Sequence, residues 1–146
     1  MHVSFALFAD AANLSQEGKL NILGVFDAVQ VPQFPAMHPR ATIVVRLKGS
    51  AADVGTHPMT LRWQNPKGVE LWSSSAELAI QAPPSPTGEM DLPVIVQVDL
   101  PLDMTGAYRL VVELDGDPCG GALLHVHSDH PAAPISFPTA ASPLMS

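Results

Sequence analysis

Apolar residues recur at every second position in segment after segment of this chain, and no stretch carries them convincingly at helical spacing. That period of two is the mark of strands with one face buried and one face toward water. Ala41, Ile43, Val45 and Leu47 share one face, with Arg40, Thr42, Arg46 and Lys48 on the other. Met59, Leu61 and Trp63 alternate with Arg62 and Gln64, and after the turn Asn65-Pro66-Lys67-Gly68 the faces continue with Trp72, Ala76, Leu78 and Ile80. Leu92, Val94, Val96, Val98 and Leu100 form a further face, as do Tyr108, Leu110, Val112 and Leu114 before the turn Asp115-Gly116-Asp117-Pro118. Pro93 cannot donate to a ladder, so the beginning of its strand belongs at an edge or a bulge. Trp63 and Trp72 fall on opposite arms of one hairpin and read as core residues.

Near the amino terminus an apolar strand ends at Asp10, a polar turn occupies Asn13–Gly18, and a second apolar run climbs from Leu20 to Phe26, which reads as a hairpin. The last strand covers residues 121–127. With fifteen prolines and ten glycines in 146 residues, short strands joined by turns are favoured over a helical bundle. The expectation is an all-β domain: a single antiparallel β-sandwich of seven or eight strands, immunoglobulin-like or C2-like, over residues 1–127. Gly106-x-Tyr108 entering a strand is reminiscent of the tyrosine corner of such sandwiches. Residues 128–146 hold four prolines and neither Lys nor Arg, and read as an extended C-terminal arm. Fully extended, such an arm reaches on the order of 60 Å. Ile135, Phe137, Leu144 and Met145 are spaced along it like anchors for a groove.

The segments Phe5–Asn13, Glu17–Lys19 and Asn21–Asp27, followed by Pro35 and His38-Pro39-Arg40, carry a resemblance to a known family. The chain resembles an uncharacterised bacterial family of small all-β domains, of the DUF type and without assigned activity, over about residues 3–126. The resemblance implies a fold and brings no chemistry with it.

Composition narrows the function classes. A net charge of −7 disfavours general nucleic-acid binding, and the single cysteine, Cys119, cannot form an internal disulfide. Val3–Ala9 is apolar and Ala9-Asp10-Ala11 imitates a small-x-small cleavage site. Yet no basic residue precedes it and Ser4 interrupts it, so the expected location is cytoplasmic. Charge is unevenly spread: Arg40, Arg46, Lys48, Arg62 and Lys67 stand against Asp53 alone in residues 40–69, whereas ten carboxylates and only Arg109 follow Lys67. If their strands are neighbours, Arg40, Arg46, Lys48 and Arg62 form one basic face, able to meet acidic loops or anionic headgroups.

Candidate chemistry is sparse. His125 and His127 share a strand face with His130 and Asp129 close behind, a possible borderline-metal set, though a further ligand is missing. Asp115 and Asp117 suit a turn as well as a calcium site. Cys119 has no neighbouring base to activate it, and Ser73-Ser74-Ser75 lacks a nucleophile elbow. The expectation is therefore a non-enzymatic accessory or structural subunit without a cofactor. It docks through the basic face and the arm onto protein subunits of a larger bacterial assembly. That host could be the cytoplasmic face of a membrane-embedded, energy-transducing complex, with peripheral contact at the membrane surface. The alternative is a small-ligand or metal-binding sandwich using His125, His127 and His130.

Overall fold

Strands with one apolar face need a second layer to cover it, and here two sheets cover each other. A computed structural model describes residues 1–82 and 88–128. Its strands are β1 (His2–Leu14), β2 (Leu20–Phe26), β3 (Ala28–Val31), β4 (Ala36–Gly49), β5 (Gly55–Gln64), β6 (Glu70–Ile80), β7 (Met90–Leu102), β8 (Gly106–Leu114) and β9 (Asp117–Ser128). One sheet runs β2-β1-β4-β7 and the other β3-β9-β8-β5-β6. A single 3-10 turn, Ala51–Asp53, carries the chain from the first sheet to the second, and among the described residues no helix is long and apolar enough to cross a membrane.

The alternating residues meet between the sheets. Phe8, Ile43, Val45 and Leu47 come from the first sheet, and Trp63, Tyr108, Leu110, Leu124 and Val126 from the second. Each large side chain removed from water in this way contributes about 2 kcal/mol. Trp72 pairs across the hairpin with Trp63, but only Trp63 is fully buried. β6 is the outermost strand of its sheet, so its inward face is less completely covered. β7 is likewise an edge strand, which is where Pro93 belongs.

Eight of the nine strands were marked by the sequence; β3 was not, because four residues are too few to show a period. Only Asp27 separates it from β2, so β2 and β3 are one strand path that changes sheets. β3 runs parallel to β9, from Ala28 beside His125 to Val31 beside Ser128, whereas the other described pairings are antiparallel. The alternation resumes earlier than expected in β4 and β9, and β1 continues past Asp10 to Leu14.

One polar cluster fixes the end of the sandwich where β7 turns into β8. The Tyr108 hydroxyl accepts the backbone N–H groups of Asp103 (2.7 Å) and Met104 (2.8 Å) and donates to Asp103 Oδ1 at 2.8 Å. Its ring stacks on Trp63 at 5.3 Å, and the Trp63 indole donates to the Pro101 carbonyl at 2.9 Å. Asn65, in the β5–β6 turn, donates to Asp103 Oδ2 at 2.9 Å. Burial works to raise the pKa of Asp103, but the hydrogen bonds from Asn65, Tyr108 and its own backbone outweigh it, so the carboxyl sits below its usual value. Gly106 completes the corner: its φ is +138°, and a Cβ there would stand 2.7 Å from Pro66. The Gly106-x-Tyr108 pattern thus serves as the corner its sequence suggested.

A second fastening joins β5 to the β8–β9 turn. His57 Nδ1 lies 2.9 Å from Asp115 Oδ2, and Nε2 lies 2.7 Å from the Asp53 carbonyl. Both neighbours are acceptors, so the ring satisfies both only as the imidazolium. The Asp115 hydrogen bond, followed by that to Asp53, raises its pKa above 6.5.

Two outcomes follow from these clusters. Tyr108→Phe removes the partner of the part-buried Asp103 and Met104 N–H groups and lowers stability by about 1 kcal/mol, read as a fall in urea midpoint at unchanged m-value. For His57, the folded pKa lies above the unfolded one. Its contribution is therefore complete below the unfolded pKa and disappears as pH rises through the folded one. The stability difference between the wild-type chain and His57→Gln should accordingly shrink from mildly acidic to mildly alkaline pH, and an NMR titration of the His57 ring should give a midpoint above 6.5.

Candidate functional site

A sheet edge without a partner strand exposes backbone donors and acceptors, and proteins ordinarily guard such edges. Because β3 has only four residues, it covers β9 from His125 to Ser128 and no further. From Asp117 to Leu124, β9 is hydrogen-bonded to β8 on one side and, among the described residues, to no strand on the other, although β1 packs near it, with Val3 3.1 Å from where a Gly120 Cβ would stand. The direction of the open groups follows from His125, whose N–H donates to the Asp27 carbonyl at 2.8 Å on the β3 side. Two-residue alternation then aims the N–H and C=O of Leu123 and Gly121 the same way, into the open side. Pro118 and the bulge beside it guard only the beginning of this edge.

The change of sheet at Asp27 leaves a notch beside the open edge, because β2 departs toward β1 while β9 stays in its own sheet. The groove there has a volume of about 960 Å³. Its inner wall is apolar, with Phe8, Phe26, Leu110 and Ala122, and the exposed Val25 lines its rim. Its outer part crosses β9 onto the solvent face of the second sheet, where Arg62, Gln64, Arg109, Glu113, Leu123 and His125 line it. Gly121 makes that passage possible. A Cβ at this position would collide with the Leu110 carbonyl oxygen, so β9 has no side chain here and dips in the middle of the groove.

The two arginines differ. Arg62 donates from Nε to Glu113 (2.9 Å) and from Nη1 to Glu70 (2.9 Å), and the Glu113 hydrogen bond is the main cause of its raised pKa. Its charge is therefore already matched. Arg109 is exposed, opposite Leu123 on one side and Gln64 on the other, and has no acidic partner among the described residues.

The expected basic face does not form. Arg40, Arg46 and Lys48 lie on β4 in the first sheet, and Arg62 lies on β5 in the second. The pairing of strands also brings the late carboxylates beside the early cations. Arg46 is bound through two nitrogens to Asp91 of β7, and its hydrogen bond is the main cause of that carboxyl's lowered pKa. Lys48 stands 3.7 Å from Glu89 and 3.9 Å from Asp91. Arg40 occupies a bulge at φ +51°, its backbone N–H donating to Asp99 at 2.8 Å. Charges segregated along the chain are thus interleaved in space.

His125 and His127 do share the outward face of β9, above the buried Leu124 and Val126, beside Ala28 and Gln30 of β3. Among the described residues, no group of three metal-binding side chains comes together. His130 and Asp129 lie outside the described residues, as do the anchors Ile135, Phe137, Leu144 and Met145. Asp115 is engaged by His57, and Asp117 opens β9. Cys119 directs its sulfur at the Val112 carbonyl (3.4 Å), and burial pushes its thiol pKa up, the reverse of what activates a nucleophile.

Sequence reasoning missed Arg109, Leu123 and the role of the two adjacent glycines. Gly120-Gly121 inside an apolar run was the available signal, since glycine within a strand marks a bulge or a close backbone approach. No curated protein matches this chain in sequence. A family model does match residues 4–127, from within β1 to almost the end of β9, and the chain belongs to that family, DUF6941, a family of unknown function.

Proposed function

We propose that this domain is a docking subunit: it joins a larger protein assembly by accepting an extended segment of a partner along the open edge of β9. The observation that supports this reading is the unpaired stretch of β9 ending at Leu124, set beside an apolar notch. Addition of a strand satisfies backbone groups that otherwise face water, and the notch receives alternate side chains. Binding through backbone groups suits a surface on which Arg46, Lys48 and Arg62 are already matched by carboxylates. It also moves the docking surface from the basic sheet face and the arm, where the sequence suggested it, to the flank. The role is non-enzymatic, in keeping with the thiol of Cys119 held protonated and Asp115 committed to His57.

Leu123 offers a selective probe. Its N–H points away from β8, so proline at this position removes an edge donor without removing a ladder hydrogen bond. In native extracts the wild-type chain is expected to elute in a defined assembly well above 15.4 kDa. Leu123→Pro should return it to the size of the free chain, while Leu123→Val should remain assembled, with circular dichroism confirming the fold of each variant. A wild-type chain that elutes alone would overturn the reading, and so would a folded Leu123→Pro variant that stays assembled.

A further inference from the structure

We infer that the segment accepted by β9 alternates apolar and acidic side chains and places a carboxylate over Gly121, where it meets Arg109; this rests on the docking reading above. A strand added to β9 points successive side chains to opposite faces of its sheet. One set enters the notch against Phe8, Val25, Phe26 and Ala122, where only apolar groups avoid an uncompensated desolvation cost. The other set faces outward, level with the solvent face of β8 and β9. Arg109 is on that face, one strand further in. An arginine on β8 is normally screened from an added strand by the side chains of β9. The β9 residue directly opposite Arg109 is Leu123, but at Gly121, two residues back and opposite Val111, β9 has no side chain, which leaves a diagonal path to the long Arg109 side chain in a groove that both residues line.

The charged groups around the groove agree with this polarity. Glu113 is held by Arg62, and Arg62 is shared between Glu113 and Glu70, so neither is free to set the preference. Asp27 and His125 stand at the far end, where β3 already occupies the edge. Among the described residues, Arg109 is the groove's unpartnered cation, and the unpartnered carboxylate of Asp27 stands away from it, at the end where β3 begins. A charge-matched outward residue there fixes the register of the incoming strand as well as adding affinity.

The test uses the full chain and short synthetic peptides: one alternating Val and Glu between Thr residues, one with Lys in place of Glu, and one of the first composition in scrambled order. Binding is read by fluorescence anisotropy and by amide exchange at Gly121 and Leu123. The Val/Glu peptide should bind and slow exchange at both amides, the Val/Lys peptide should bind roughly tenfold more weakly, and Arg109→Glu should reverse that order. The scrambled peptide should leave both amides unprotected. Equal binding of the two charged peptides with both amides protected would overturn the acidic preference while leaving the docking edge in place. Binding without protection at either amide would overturn the placement on β9, and no binding by either alternating peptide would overturn the inference outright. A concentration-dependent dimer by sedimentation that protects the same amides and excludes peptide would assign the edge to a second copy of the chain and also overturn it.

Discussion

The Trp63–Tyr108 stack is the contact on which the rest of this sandwich depends. Trp63 lies on β5 and Tyr108 on β8, and Phe8 from the opposite sheet meets the Trp63 ring edge-on at 5.7 Å. Three strands from two sheets are therefore registered by three rings. Each polar atom of the cluster is satisfied by backbone close at hand: the indole by Pro101, the hydroxyl by Asp103 and Met104. A buried polar group that has its partners in one geometry excludes others, so the cluster specifies as well as stabilises. With the β7–β8 corner fixed, the alternation of β8 sets the alternation of β9, and thereby the direction in which Gly121 and Leu123 present their backbone groups.

Much of this was legible in the sequence because a period of two is a local property. Ile43, Val45 and Leu47 announce a buried face without reference to any other segment, and the same holds for Leu110 and Val112. Tyr108 was legible through its neighbour Gly106, since a glycine forced to a positive φ leaves a pattern. The pairing of strands is not local, and there the reading failed. Residues 40–69 look basic and the following residues acidic, yet β4 pairs with β7 and β5 with β6 and β8. Asp91 consequently lies beside Arg46, and Glu70 and Glu113 beside Arg62. A charge map drawn along the chain lacks this information.

The candidate site was hidden for a related reason. The open edge lies where β3 begins: running parallel to β9, the chain enters the second sheet only at Ala28, level with His125, and the preceding β2 belongs to the other sheet, a long-range arrangement that no local pattern spells out. Arg109 looked like an isolated cation in an acidic region. Its meaning comes from its place on the groove, opposite Leu123 and diagonal to Gly121, where β9 bears no side chain. His125 and His127 illustrate the converse. Their shared face was correctly read from spacing, but a shared face supplies two donors and a metal site needs more.

The change of sheet at Asp27 has a consequence for the mechanics of the domain. β2 and β3 follow one chain path through a bend at Asp27, one strand in each sheet, so this seam links the two sheets on the flank of the sandwich. The edge of β9 and the edge strand β2 diverge from it like the sides of a V. A segment lying between them would touch both sides and bridge the seam. Phe8 already ties the sheets together through Trp63 in the core, and a bound segment would add a second tie at the flank.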